Sequence, residues 1–132
     1  MQYIIMIAIV VGLAASDIVT GFIKGYVTDR PRSRKMRIGG LHKLAEVTVM
    51  VTACGLEFGI ERLGVYYDAA ALAQLVGQFT AIGCFGFITV MELVSILENY
   101  AEINPEAAWV RRIIRQFRDK SDTEDERNEK TN

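Results

Sequence analysis

The residues of this chain that could do chemistry are the ionisable and amide side chains set inside apolar runs. Asp17 stands alone in the run from Tyr3 to Ile23. Glu46, Glu57 and Glu61 interrupt the run from Leu44 to Val65, and Gln74, Gln78, Glu92 and Asn99 punctuate the stretch beyond Ala69. At about 100° per helical residue, Glu57 falls within roughly 20° of Glu46 and Glu61 within roughly 60°. Lys43, Met50 and Gly64 share that sector. Glu92 superposes almost directly on Gln74 on the same wheel, with Gln78 and Asn99 aligned beside them. Such groups are expensive against lipid unless they face protein or water, so each is a functional candidate. Their chemistry is either a hydrogen-bond network between helices or the lining of a path for water and ions.

No nucleotide-binding glycine motif, metal-ligand cluster or nucleophile triad accompanies them. His42 is the single histidine and reads as a surface residue. Cys54 and Cys84 lie inside apolar runs, where cysteine acts as a small hydrophobe, and they give no disulfide framework. The sequence therefore predicts no catalysis, no metal and no cofactor. Fifteen Lys+Arg against 16 Asp+Glu leave a net charge of -1 and a pI near 5.8, which argues against a general nucleic-acid binder.

The elements that must position these residues are helices long enough to cross a bilayer. At 132 residues the chain suits one domain. Its 51% hydrophobic content and mean hydropathy of +0.20 look ordinary, but the charge is very unevenly spread. Only Asp17 is ionisable between Met1 and Ile23, nothing is between Ala69 and Met91, and nine such residues crowd Asp119 to Lys130. The pattern predicts an all-α integral membrane protein with three transmembrane helices, at about 3–23, 44–65 and 69–97. Each exceeds the roughly 20 residues that a hydrocarbon core of about 30 Å requires. The first run lacks the basic n-region of a signal peptide, since Lys24 follows it. The middle run is the least apolar; a re-entrant segment is the alternative there.

Seven Lys/Arg and one acid lie between Lys24 and Lys43, and Arg111, Arg112, Arg115, Arg118 and Lys120 follow the third run. The positive-inside rule places both regions in the cytoplasm and the N-terminus outside. An even number of spans between the two basic regions agrees with counting the middle run. After a membrane domain of residues 1–104, Asn104-Pro105-Glu106 reads as a helix start. It opens a basic amphipathic helix over 105–118 in which Trp109, Arg111, Arg112, Arg115 and Arg118 suit an anionic lipid surface. Packing against neighbouring subunits is the other reading of that helix. The polar tail, 119–132, is expected to be disordered. Ala8, Gly12, Ser16 and Thr20 form a small-xxx-small stripe that allows close helix approach, and Gly77, Ala81, Gly83 and Gly86 do the same on the third run. With three helices too few to hide this many polar groups, the chain is expected to form homo-oligomers.

Specific motifs add a family resemblance. Asp17-Ile18-Val19-Thr20-Gly21, then Arg32-Ser33-Arg34-Lys35, then Gly39-Gly40-Leu41-His42-Lys43 resemble the phage-lysis and toxin-secretion holins of Gram-positive bacteria and their phages. Glu92-Leu93-Val94-Ser95-Ile96-Leu97-Glu98-Asn99, followed by Pro105, is similar to that family's later segment. His42 departs from a position where lysine is frequent, and the Trp109–Arg118 helix and the tail have no counterpart in the pattern. The resemblance implies a protein of the bacterial cytoplasmic membrane that oligomerises into lesions, releasing an endolysin or exporting a toxin. A small cation channel or transporter, with Glu57 and Glu61 on its path, is the first alternative. A non-lytic regulatory membrane protein, such as a holin antagonist, is the second.

Overall fold

The computed structural model describes residues 1–28 and 33–116, with side chains described for 1–28 and 37–116. Three long helices carry the fold: α1 (Gln2–Val27), α2 (Ser33–Tyr66) and α3 (Ala70–Ile103). A shorter helix, α4, covers residues 108–116. No strand occurs among the described residues. Arg118 and the expected disordered tail lie outside them.

The helices run up, down and up, and their contacts fix the register. From the N-terminal end of α1, Val10 packs with Met50, Cys54 and Ile88, flanked by Tyr3, Met6, Ile7, Val47 and Phe85. One to two turns further, Asp17 meets Lys43, which in turn meets Glu92. Near the end of α1, Lys24 meets Glu102. So α1 and α3 are parallel, and α2 is antiparallel to both. α3 is the central helix of the packing, and α1 and α2 touch each other least.

The α2–α3 turn is tight. The Asp68 N–H donates to Val65 O at 3.4 Å and the Ala69 N–H to Gly64 O at 2.8 Å. These two bonds make a Schellman closure, whose left-handed position is held by Asp68 at φ 54. A Cβ on Gly64 would overlap that of Ala73, so glycine is what lets the two helices leave the turn in contact.

Much of the outer surface is apolar. Ile4, Phe22, Leu63, Leu72, Phe79 and Phe87 all stand exposed. The hydroxyls of Ser16, Thr48, Thr52 and Thr80 each donate to the carbonyl four residues earlier on their own helix. That internal bonding lets a hydroxyl sit on an apolar face without an orphaned donor. α1 and α3 have windows of mean hydropathy 2.2 and 1.9, and only 17% of each window is buried within the chain. So little burial sets them apart from the core helices of a globular domain, and apolar faces of this extent mark a membrane or protein interface.

Two corrections follow. Among the described residues only α1 and α3 are long and apolar enough to cross a membrane on composition, two helices rather than the expected three. α2 fails because its 34 residues carry Arg37, Lys43, Glu46, Glu57, Glu61 and Arg62 at intervals too short to leave an 18-residue apolar window. The expected helix start at Asn104 also shifts. Asn104 instead caps the end of α3, its N–H donating to Tyr100 O at 2.9 Å, and Pro105 and Glu106 form a turn before α4 begins.

Candidate functional site

An ionic network joins the three helices in the half of the bundle nearest the α1–α2 connection. Lys43 stands at its centre. Its Nζ donates to Glu92 Oε2 at 2.8 Å, lies 3.1 Å from Asp17 Oδ2 and 3.5 Å from Glu46 Oε2. Thus one ammonium serves a carboxylate from each helix. Glu92 is fully buried and Asp17 nearly so. Position explains the convergence. On α1, Val10, Ala14 and Asp17 are buried at helical spacing, and on α3 Ala73, Gly77, Ala81, Ile88 and Glu92 are. Asp17 and Glu92 therefore occupy core sites of their helices, and Lys43 is the cation of α2 at their level.

A second layer lies toward the ends of α1 and α3. Asn99 Nδ2 donates to Asp17 Oδ1 at 2.9 Å and to Thr20 Oγ1 at 3.4 Å. Lys24 Nζ donates to Asn99 Oδ1 at 3.3 Å and pairs with Glu102 at 2.7 Å. Asn99 thus uses its amide to couple the two layers, with its carbonyl taking a donor from one and its NH₂ feeding the other. Gly21 lies beside it, where a Cβ would make an ordinary contact 3.5 Å from Asn99 Nδ2.

Glu57 and Glu61 take no part in this network. Glu57 is 2% exposed and packs against Gly77, where a Cβ would come within 3.1 Å of Glu57 Cγ. It lies roughly 16 Å along α2 from Glu46, counting eleven residues at about 1.5 Å each. Glu61 is half-buried, and Gln74 and Gln78 are exposed. The buried stripe of α3 passes through Ala73 and Gly77, so each glutamine stands one residue off it. Of the polar candidates, Asp17, Glu46, Glu92 and Asn99 come together, with Thr20 beside them. Lys24, Lys43 and Glu102 complete the network; Lys43 had a signal, being three residues before Glu46 and in its sector.

The other candidates fall on the outside. Ala8, Gly12 and Ser16 are exposed, with nothing within 4 Å of a Cβ at Gly12; the stripe faces away from α2 and α3. On α4, Trp109 is exposed and stands 6.4 Å from the Tyr100 ring. Arg111, Arg112 and Arg115 are exposed, Val110 is buried, and Arg111 reaches back to Pro105 O. A shallow groove of about 210 Å³ between α2 and α3 is lined by Thr48, Thr52, Leu56, Thr80 and Cys84. Its threonine hydroxyls already serve their own helices, so it offers a ligand little polar chemistry. No group of His, Cys, Asp and Glu side chains among the described residues is placed to hold a metal ion.

The geometry is that of a charged core inside an apolar shell. A comparison with protein families matches residues 2–119 to the bacteriophage holin family. No curated protein and no solved structure matches the chain.

Proposed function

The chain belongs to the bacteriophage holin family, and from that premise we propose that it accumulates in the bacterial cytoplasmic membrane, self-associates and permeabilises it. The lesion would release an endolysin to the cell wall or export a toxin, with no catalysis by the chain itself. The family match over residues 2–119 carries this reading. The bundle supports it, since Asp17, Glu57 and Glu92 are buried while leucine, isoleucine and phenylalanine side chains face out.

All three long helices cross the bilayer in this proposal. α2 lies antiparallel to α1 and α3 and meets both at the Lys43 level, so if those two cross, α2 crosses beside them. Its charges are tolerable because Lys43, Glu46 and Glu57 are at least partly covered by the other helices. Lys24 beside Glu102 brings the α1–α2 connection to the same end as the C-terminus of α3. That agrees with both basic regions facing the cytoplasm and the N-terminus lying outside. α4, with its arginines and Trp109, then meets anionic lipid at the cytoplasmic face. Self-association uses the exposed stripe of Ala8, Gly12 and Ser16.

Induced expression in a bacterium tests the proposal. Abrupt loss of membrane potential, with lysis only when an endolysin is co-expressed, is the expected result. Continued growth with an intact potential, at full accumulation, would overturn it in favour of a non-lytic regulator. In single-channel recordings large unselective openings are expected, and small cation-selective steps would instead make the protein a channel.

A further inference from the structure

The charge count around Lys43 does not close. Asp17, Glu46 and Glu92 face it from α1, α2 and α3, so the inner cluster holds three carboxylates and one ammonium. Lys24, Asn99 and Glu102 form the neighbouring layer, where Lys24 already pairs with Glu102. Two oxygens in the inner cluster, Glu46 Oε2 and Glu92 Oε1, are buried with no hydrogen-bond donor among the described residues. Glu92 is completely buried, so water does not offer one from an exposed side. The Glu46 contact to Lys43, at 3.5 Å, is the longest of the three. The two glutamates converge on the same Lys43 ammonium, Glu92 Oε2 at 2.8 Å and Glu46 Oε2 at 3.5 Å. Two acceptors side by side, both lacking a donor, are one O–H short of a complete network.

We propose that Glu46 and Glu92 form a proton-binding site, holding one proton between them as a carboxylic acid–carboxylate pair. The proton comes from bulk water and completes one O–H···O bridge between Glu46 Oε2 and Glu92 Oε1, the two oxygens without a donor. Glu92 Oε2 keeps its bond from Lys43. The step lowers the formal charge of the inner cluster from -2 to -1 and gives each orphaned oxygen a partner. Like charges forced together in a desolvated site share a proton for the same reason in other carboxylate pairs. The site stands whether or not the chain opens lesions, so its test is independent of lysis.

Infrared spectroscopy of the full chain in lipid vesicles reads it directly. At neutral pH the unsubstituted protein is expected to show a protonated-carboxyl carbonyl band that shifts on exchange into deuterated water. Glu46→Gln and Glu92→Gln should each remove one carboxyl's intensity from it. The double variant should remove that same single carboxyl, not two, which is the signature of sharing. Glu57→Gln should leave this component in place, since Glu57 packs elsewhere. Absence of any protonated-carboxyl band in the unsubstituted protein overturns the proposal without need of a variant. Retention of full intensity in both single variants, or loss of two carboxyls in the double, also overturns it.

Discussion

Lys43 is the residue whose removal should be felt most. Its ammonium touches a carboxylate on every long helix, and taking one partner from a buried ionic cluster costs about 3–5 kcal/mol because the opposite charges remain. Lys43→Met is expected to lose stability on that scale, measured by detergent-titration unfolding in mixed micelles; Glu102→Gln, at a half-exposed pair, should lose under about 1 kcal/mol. Unfolding at wild-type detergent concentration by the Lys43 variant would show the cluster to be energetically idle. Glu57 and Glu61 pose a different question, being apart from that cluster. A Glu57→Gln, Glu61→Gln variant should insert normally and delay lysis in an induction assay, because the partly exposed Glu61 carboxylate is costly against lipid and assembly relieves that cost, Glu57 being already covered by α3. Wild-type timing at equal accumulation would reduce both residues to a structural role. At this scale the sequence was partly legible. Asp17, Glu46, Glu92 and Asn99 stood out as polar groups in apolar runs, and they converge. A helical wheel gives angles within one helix but not which sector meets a neighbour, so Gln74 and Gln78 could not be separated from Glu92.

At the scale of the helix, the apolar runs of α1 and α3 were plain because hydropathy is a local sum. The ends were less so. α2 begins at Ser33, well before its apolar run, since a basic stretch is helix-compatible though not lipid-compatible. Asn104 carries equally good signals for starting one helix and ending another, and continuation of α3 to Ile103 decides it. The glycines divide in the same way, between those that meet a neighbour and those that do not. Gly77 lies against the Glu57 backbone and side chain, whereas Gly12 meets nothing. Gly77→Leu should therefore overpack the α2–α3 contact and cost about 1–3 kcal/mol, seen as lower accumulation and earlier unfolding. Gly12→Leu should leave the monomer's unfolding unchanged and instead weaken chemical cross-linking between copies. Equal cross-linking yields would remove the α1 stripe from the self-association surface.

For the whole molecule, orientation is the first question. With Cys54 and Cys84 replaced, a cysteine at position 67, in the exposed α2–α3 turn, should react with an impermeant reagent added outside. One at position 36, in the basic region, should not. External labelling at 36 would reverse the assignment. The side-to-side bonds of α1 carry a further consequence. Asp17 to Asn99 and Lys43, and Lys24 to Asn99 and Glu102, all join α1 to partners far along the chain, and Val10 adds an apolar seat among Met50, Cys54 and Ile88. The first helix is thus specified by complementarity, not by tethering. Residues 1–28 and 33–132, produced as two separate polypeptides in one cell, should find each other and co-purify as a reconstituted bundle. Asp17→Leu in the short piece should abolish that recovery, and a short piece that never co-purifies would mean the covalent link is what holds α1 in place.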